Sequence, residues 1–422
     1  MRCEGPAGQQ SEVEVPPRAP STVVEGPRES VERRSKHGYS RCMTVRSAAI
    51  PGVAVPFLDL TPSTQAVKRP VLEELEAVSD ANAFINGPQV ERFERAFADY
   101  CGTEHCVGLA SGLDALRLGL LAAGIERGDE VLVPANTFVA TFEAITQAGG
   151  VPVPVDVTET DYNLDVDAAV AAVGERTRYV MPVHLYGQLT DLRRLGDELG
   201  RRGIAIFEDA CQAHGASRDG LRSGTVGVAS AFSFYPGKNL GAWGDAGALV
   251  MNDGELATAM RALREHGQTA KYMHMIEGYT ARLDTIQAVV LLHKLPYLDG
   301  WNEERRAVAA FYSEQLEGVG DVLVPPVPPG SEPVWHLYEL RTGSPERLAE
   351  FLAERGIGTG RHYPQSAHLS PAYESLGYRE GAFPVAETLA AELLSLPMFP
   401  GMSEPQQHAV VAGVRDFFAG GA

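Results

Sequence analysis

Lys238 lies in the segment FSFYPGKNLGAWGDAGALV, residues 232–250, between Gly237 and Asn239 and just ahead of Gly241, Gly244 and Gly247. Apolar residues flank it on both sides. Most lysines stay in water; one in a half-buried turn has its pKa lowered by desolvation and becomes a nucleophile. A second segment, IFEDACQAHGA at 206–216, carries Glu208 and Asp209 at the end of an apolar run, with Gln212 and His214 close behind. A carboxylate at a dry strand end is unfavourable unless a cation meets it. Two cations are open, a structural ion-pair partner and a bound group. His214 has no second His or Cys at ligand spacing, so no metal is expected. A third segment, ASGLDALRLGL at 110–120, puts Ser111 and Gly112 at a strand-to-helix turn. Unpaired N–H groups there suit a phosphate, although an ordinary N-cap serine has the same pattern.

Known nucleotide loops do not fit. A phosphate loop needs G-x-x-x-x-G-K-[ST], but Phe232 stands at the first position and Asn239 at the last. GAWGDAG is not G-x-G-x-x-G either. One chemistry uses all three segments together. Pyridoxal phosphate needs a lysine for the Schiff base, a carboxylate at the pyridine nitrogen and a phosphate cradle. A protonated ring nitrogen is the cation Asp209 lacks, and glycines around Lys238 would make room for a planar ring.

The elements that must position these residues alternate. Strand patterns at HCVGL, EVLVP, VPVPVDV, RYVMPV and IAIFED are separated by helical patterns such as LDALRLGLLAAG, VATFEAITQAGG and DLRRLGDELGRRG. That alternation predicts an α/β core with a mainly parallel sheet, whose ligands bind at the carboxyl ends of its strands. Long helices follow, then the Pro-rich connector DVLVPPVPPG and a mixed segment from Val334. The expected division is a disordered N-terminal extension over 1–52, a large α/β domain over 53–300 and a small α+β domain over 301–422. Residues 1–52 are rich in Pro, Gly, Ser and mixed charge without hydrophobic periodicity; either they form a tail or the natural start is Met43.

The chain has 422 residues, 36 Lys+Arg against 55 Asp+Glu, and a net charge of −19. That balance speaks against nucleic acid and anionic membranes as partners. Five scattered cysteines without a CxxC pair, and no apolar run of membrane-spanning length, suggest reduced thiols and a cytoplasmic protein.

VPANTFVAT, FEDACQAHGA, FSFYPGKNLGAWGDAGALV and GYTARLDTIQAVVLLHKL resemble the signature blocks of the DegT/DnrJ/EryC1/StrS sugar aminotransferases over roughly residues 55–420. SGLDAL, PGKNLGAWGDAGA and LLSLPMFP are most similar to members that aminate C3 of nucleotide-linked 3-keto-6-deoxyhexoses. The resemblance implies fold type I, the aspartate-aminotransferase architecture, with pyridoxal 5′-phosphate as cofactor and its pyridoxamine form during turnover. It implies glutamate and a dTDP-linked keto sugar as substrates, and a homodimer with composite sites. By motif position, Lys238 forms the Schiff base and shuttles the proton, and Asp209 pairs with the pyridinium. Gln212 meets the phenolic oxygen and Phe138 stacks on the ring. Ser233 and the amides of Gly112 and Leu113 hold the phosphate. Leu113 departs from the Thr of many members, as the 3-keto-sugar members do. Thr280 replaces an Asn that reaches the neighbouring subunit's phosphate. Arg282 and the 271–282 loop are assigned to the partner's pocket, and Arg361, His362 and Tyr363 to the substrate. Family dehydratases replace the lysine with histidine, and Lys238 is intact. A cyclitol aminotransferase and a non-catalytic regulatory member are the alternatives.

Overall fold

Short β-branched and apolar runs, each followed by an amphipathic helix, build the centre of the molecule. The computed structural model describes residues 55–420, so the expected disordered extension over 1–52 lies outside the described residues. Seven strands form the main sheet: β1 His105–Leu109, β2 Glu130–Pro134, β3 Val151–Val155, β4 Thr177–Val180, β5 Ala205–Asp209, β6 Ala229–Ser233 and β7 Gly247–Met251. Their order is β1-β7-β6-β5-β4-β2-β3. Only β7 runs against its neighbours, pairing antiparallel with both β1 and β6; the remaining pairs are parallel. Parallel strands need crossovers, and the helices α3 Gly112–Ala122, α4 Val139–Gln147, α5 Val166–Ala172 and α6 Leu192–Gly200 supply them. Both faces are covered, so the strands are buried along nearly their whole length.

Topology then places the chemistry. β1, β2, β5 and β6 all end at one edge of the sheet. β7 begins there, because Gly247 pairs with both Leu109 and Ser233. Asp209 closes β5 and Ser233 closes β6 at that edge. The Ser111–Gly112 turn follows β1 there.

Helices α1, Thr61–Asp80, and α2, Pro88–Cys101, precede the crossover helices and frame the core. α1 is long and runs through the exposed Pro70. α2 is ended by Gly102 at φ 78, a left-handed cap where glycine has no steric penalty. The expected long helical stretch from Leu283 to Leu316 is divided into Thr285–Lys294 and Leu298–Leu316. A 3-10 turn at Leu295–Tyr297 separates them, where Pro296 cannot donate an N–H.

A second apolar core gathers Val55, Tyr312, Leu316, Tyr338, Leu348, Leu394, Val410 and Val414. Its two antiparallel strands, Tyr338–Arg341 and Leu393–Leu396, pair Glu339 with Ser395. Isolated bridges connect Gly360 to Ser395 and Val55 to Ile357. The chain's first described residue thus packs with its last third.

Candidate active site

Asp209 and Glu208 are neighbours on β5, both buried, yet their surroundings differ. Glu208 is fully partnered. His184 Nε2 lies 2.8 Å from its Oε2, Gly224 N donates to Oε2 at 3.0 Å, and Val226 N donates to Oε1 at 2.8 Å. Glu208 therefore holds the 223–226 loop against the strand. Asp209 accepts from Thr141 Oγ1 at 2.9 Å and from Cys211 N at 3.1 Å. Both donors are neutral, and among the described residues Asp209 makes no ion pair. A buried carboxylate in that state has room for one cationic partner.

Lys238 follows β6 in a loop whose backbone is tightly held. Lys238 N donates to Tyr235 O at 2.8 Å, and Ala242 N to Phe234 O at 2.8 Å. The buried Lys294 donates Nζ to Gly241 O at 2.7 Å, and burial lowers its pKa to about 8. Burial also lowers the pKa of Lys238 itself, while the neighbouring Cys211 and Asp209 pull it back up. Desolvation wins, which favours the free amine. His214 is buried against Phe232 and Phe234, and burial, then Lys238, lowers its pKa to about 3. His336 is held well below its ordinary value by burial first, then by Lys238, Arg305, His362 and His214.

Two of the glycines around Lys238, Gly241 and Gly247, have a different cause from the one expected. A Cβ at Gly241 would lie 2.2 Å from Pro236 O, and one at Gly247 would lie 2.3 Å from the Ser111 carbonyl. These positions are glycine because the chain's own backbone fills the space, not to clear room for a bound ring. Gly247 thereby seats the Ser111–Gly112 turn against β7.

That turn forms a cradle. Ser111 caps α3, its Oγ accepting from Asp114 N at 3.1 Å. The N–H groups of Gly112 and Leu113 belong to the first turn and have no intrahelical acceptor. A Cβ at Gly112 would meet Ser233 Cβ at 2.7 Å, so the helix start and the end of β6 are in close contact. Ser233 Oγ accepts from Tyr235 N at 3.3 Å, which leaves its hydrogen to donate.

Gln212 has a fixed orientation. Its Oε1 accepts from Tyr186 N at 2.7 Å, so Nε2 points the other way and donates to the Tyr363 hydroxyl at 3.2 Å. Burial raises the pKa of that hydroxyl. Phe138 is the N-cap of α4 and stays 49% exposed, its ring 5.2 Å from that of Tyr363. Phe138, Tyr363 and Gln212 form one chain of contacts and Gly112 with Ser233 another, while Asp209 acts electrostatically on Lys238.

Other residues are placed differently. Thr280 Oγ1 lies 3.1 Å from His266 Nε2, and Arg282 pairs with Glu265 at 2.8 Å. Both sit on the segment that includes the short hairpin Gln268–Ala270 and Met273–His274. Arg361 is turned towards Glu346 and the carbonyls of Ala390 and Ala391. Its guanidinium is thus committed to the protein.

Sequence reasoning missed Thr141, although it lies in the NTFVAT block four residues after Thr137. It also missed a chain of amides behind Lys238. Asn239 Nδ2 donates to Asn302 Oδ1 and to Val334 O, both at 2.8 Å, and Asn302 Nδ2 donates to His214 O at 2.9 Å. With both amide hydrogens used, Asn239 Oδ1 accepts, and His336 Nδ1 must donate to it at 3.2 Å. The Lys-Asn dipeptide was the signal that could have pointed there.

Could the buried groups hold the cofactor expected from the sequence? Asp209 lacks a cation, Lys238 is a desolvated amine, and the Gly112–Ser233 contact forms a donor-lined cradle. The residues fit pyridoxal phosphate. The α/β fold is that of the type I aminotransferases, and solved structures share it. A Streptomyces venezuelae protein, DesV, determined with a ketimine intermediate, superposes with a TM-score of 0.84 at 44% identity, covering 86% of this chain and 98% of that one. The NtdA protein of Bacillus subtilis with bound cofactor PMP superposes with a TM-score of 0.80 at 30% identity, over 87% of this chain and 86% of that one. A Streptomyces venezuelae dTDP-3-amino-3,4,6-trideoxy-alpha-D-glucose transaminase is 44% identical over 363 residues, 86% of this chain and 96% of its own length. Residues 65–415 match the DegT/DnrJ/EryC1/StrS aminotransferase family. The chain belongs to that family.

Proposed function

We propose that this protein is a pyridoxal-phosphate-dependent aminotransferase that moves an amino group from glutamate to C3 of a dTDP-linked 3-keto-6-deoxyhexose. The observation that carries the reading is the pair at the sheet edge: a desolvated lysine beside a buried carboxylate that has no ion-pair partner among the described residues. When bound, the cofactor supplies an electrophilic carbon for amines and a sink for the electrons released at the substrate carbon.

The residues divide the remaining work. Lys238, its pKa lowered by desolvation, would attach the cofactor and then take and return the proton at the reacting carbon. Asp209, oriented by Thr141 and the Cys211 amide, stabilises positive charge at the pyridine nitrogen. Gln212 offers Nε2 to the phenolic oxygen because Tyr186 holds its other end. The amides of Gly112 and Leu113 with Ser233 receive the phosphate, and Phe138 covers the ring. His362 and Tyr363 face the substrate, whereas Arg361 is left out because its fork is already occupied.

We further propose a cytoplasmic homodimer whose partner completes each site through the 271–282 segment. Tyr272, Met273, Met275 and Ile276 are exposed there, and Phe84 and Ile85 are exposed nearby. A concentration of apolar side chains in solvent marks a surface awaiting a partner. No helix among the described residues is long and apolar enough to cross a membrane. We assign the large domain to 53–300 and the small one to 301–422, with the site on the first and His362–Tyr363 reaching it from the second.

The test separates the half-reactions. Holoenzyme mixed with glutamate should lose its visible absorbance and release 2-oxoglutarate. Adding a dTDP-linked 3-keto-6-deoxyhexose should restore the absorbance and yield the 3-amino sugar. Release of 2-oxoglutarate without reaction of any nucleotide sugar, but with reaction of a keto-cyclitol, would favour the cyclitol alternative. No reaction with glutamate at all would leave a non-catalytic protein.

A further inference from the structure

Glu339 is a buried carboxylate that neither the fold nor the chemistry at Lys238 requires. It is 1% exposed and has no lysine or arginine partner among the described residues. Strand register explains what it meets instead. Glu339 and Ser395 are directly opposite in an antiparallel pair, so their side chains share a face. Ser395 also exchanges both backbone hydrogen bonds with Gly360, at 3.1 and 2.9 Å. His362, two residues on, falls beside the same hydroxyl: its Nδ1 is 2.6 Å from Ser395 Oγ. Ser395 Oγ in turn donates to Glu339 Oε1, which lies 3.7 Å from His362 Nδ1. Gly360 accommodates the ring, since a Cβ there would stand 2.5 Å from His362 Cε1. Phe57 stacks on the ring's face at 5.5 Å.

Donor counting fixes the proton. A carboxylate only accepts, so the single Ser395 hydrogen goes to Glu339. Ser395 Oγ must then accept from His362, which places an imidazole proton on Nδ1; in the neutral ring Nε2 then carries the lone pair. No partner for Nε2 is found among the described residues, and the ring keeps 26% of its surface open.

We propose that Glu339 and Ser395 are positioning residues that lock His362 in its Nδ1–H tautomer, so that Nε2 accepts a hydrogen bond from a hydroxyl of the keto-sugar substrate. The inference rests on the reading that His362 and Tyr363 face the substrate. His362 touches substrate; the other two act through it. Lys238 and Asp209 serve both half-reactions, whereas an acceptor at Nε2 favours the keto sugar, because glutamate has no hydroxyl to donate to it. The chemical class selected is a vicinal hydroxy-ketone, because only a substrate with a hydroxyl near its carbonyl gains from an acceptor held there.

Ser395→Ala severs the relay, Glu339→Gln removes the charge, and Ser395→Thr keeps the hydroxyl. Each holoenzyme is assayed in single turnover with glutamate, and then in steady state with a dTDP-linked 3-keto-6-deoxyhexose. Ser395→Ala and Glu339→Gln should raise the keto-sugar KM about tenfold, the scale of one hydrogen bond, while the glutamate step stays unchanged. Ser395→Thr should restore most of the affinity. Should Ser395→Ala not fold, the comparison of Glu339→Gln with Ser395→Thr decides. Unchanged keto-sugar KM in both relay-breaking variants, or equal slowing of both half-reactions, overturns the proposal. If wild-type holoenzyme turns over with neither substrate, the aminotransferase reading itself fails, a distinguishable result.

Discussion

Two regions of the molecule treat polar groups in opposite ways. At the carboxyl edge of the sheet they are incompletely matched: among the described residues the buried Asp209 has two neutral donors and no ion-pair partner, and desolvation lowers the pKa of the half-buried Lys238. In the 265–282 segment several polar groups pair with one another, although the buried Nε of Arg282 has no partner. Glu265 takes both Asn86 and Arg282, which lower its pKa despite partial burial, and Thr280 meets His266. What is exposed and unmatched there is largely apolar, with Tyr272, Met273 and Met275 in solvent. Unmatched buried polarity marks a place completed by a small polar ligand. Unmatched exposed apolar surface marks one completed by another chain.

The largest effect should come from Lys238→Ala, which removes the amine but leaves the apolar surface untouched. Turnover should fall about 10^4-fold or more, measured as 2-oxoglutarate release, with sedimentation unchanged. Asp209→Asn keeps the shape and both hydrogen-bond positions but removes the charge. A loss of about 10^2- to 10^3-fold in kcat is expected, again without a change in assembly. Met275→Asp reverses the comparison: it should shift the dimer towards monomer in analytical ultracentrifugation and lower activity only in step with dissociation. Preserved dimer with lost activity would contradict the division between the two regions.

Histidines sharpen the contrast through pH. His214, at the buried edge, has its pKa lowered from 6.5 to about 3 by burial and by Lys238. Between those values the unfolded chain binds a proton that the folded chain does not. Stability should therefore be level above pH 6.5 and fall as pH drops towards 3, and His214→Gln should flatten that slope in thermal melts. The smallest effect is expected from Thr280→Ala, a loss of cofactor retention below about tenfold, the scale of the single hydroxyl contact that the proposed dimer would give it.

The parts legible in sequence were those concentrated in short blocks. Lys238 stood out for its setting, and Asp209 with Gln212 because they follow an apolar strand directly. The parallel sheet followed from strand and helix alternation. What was hidden came from residues distant in sequence. Thr141 reaches Asp209 across 68 positions, His336 reaches Asn239 across 97, and Ser395 reaches Glu339 across 56. No local pattern announces such pairs, because each forms only when elements distant in sequence pack together. The glycines near Lys238 were visible but misread: absence of a side chain shows that something is close, not what it is. At Gly241 and Gly247 the neighbour is the protein's own carbonyl groups. The commitment of Arg361 to Glu346 was equally invisible, since an arginine next to a substrate block looks the same whether or not its fork is taken.

The central claim, that Lys238 is the amine that holds the cofactor opposite Asp209, is tested most directly by borohydride reduction of the holoenzyme followed by peptide mass spectrometry. A single pyridoxyl phosphate adduct per chain on the peptide carrying Lys238, absent from Lys238→Ala, is the predicted result. An adduct on another lysine, or none on protein purified with excess pyridoxal phosphate, would contradict it.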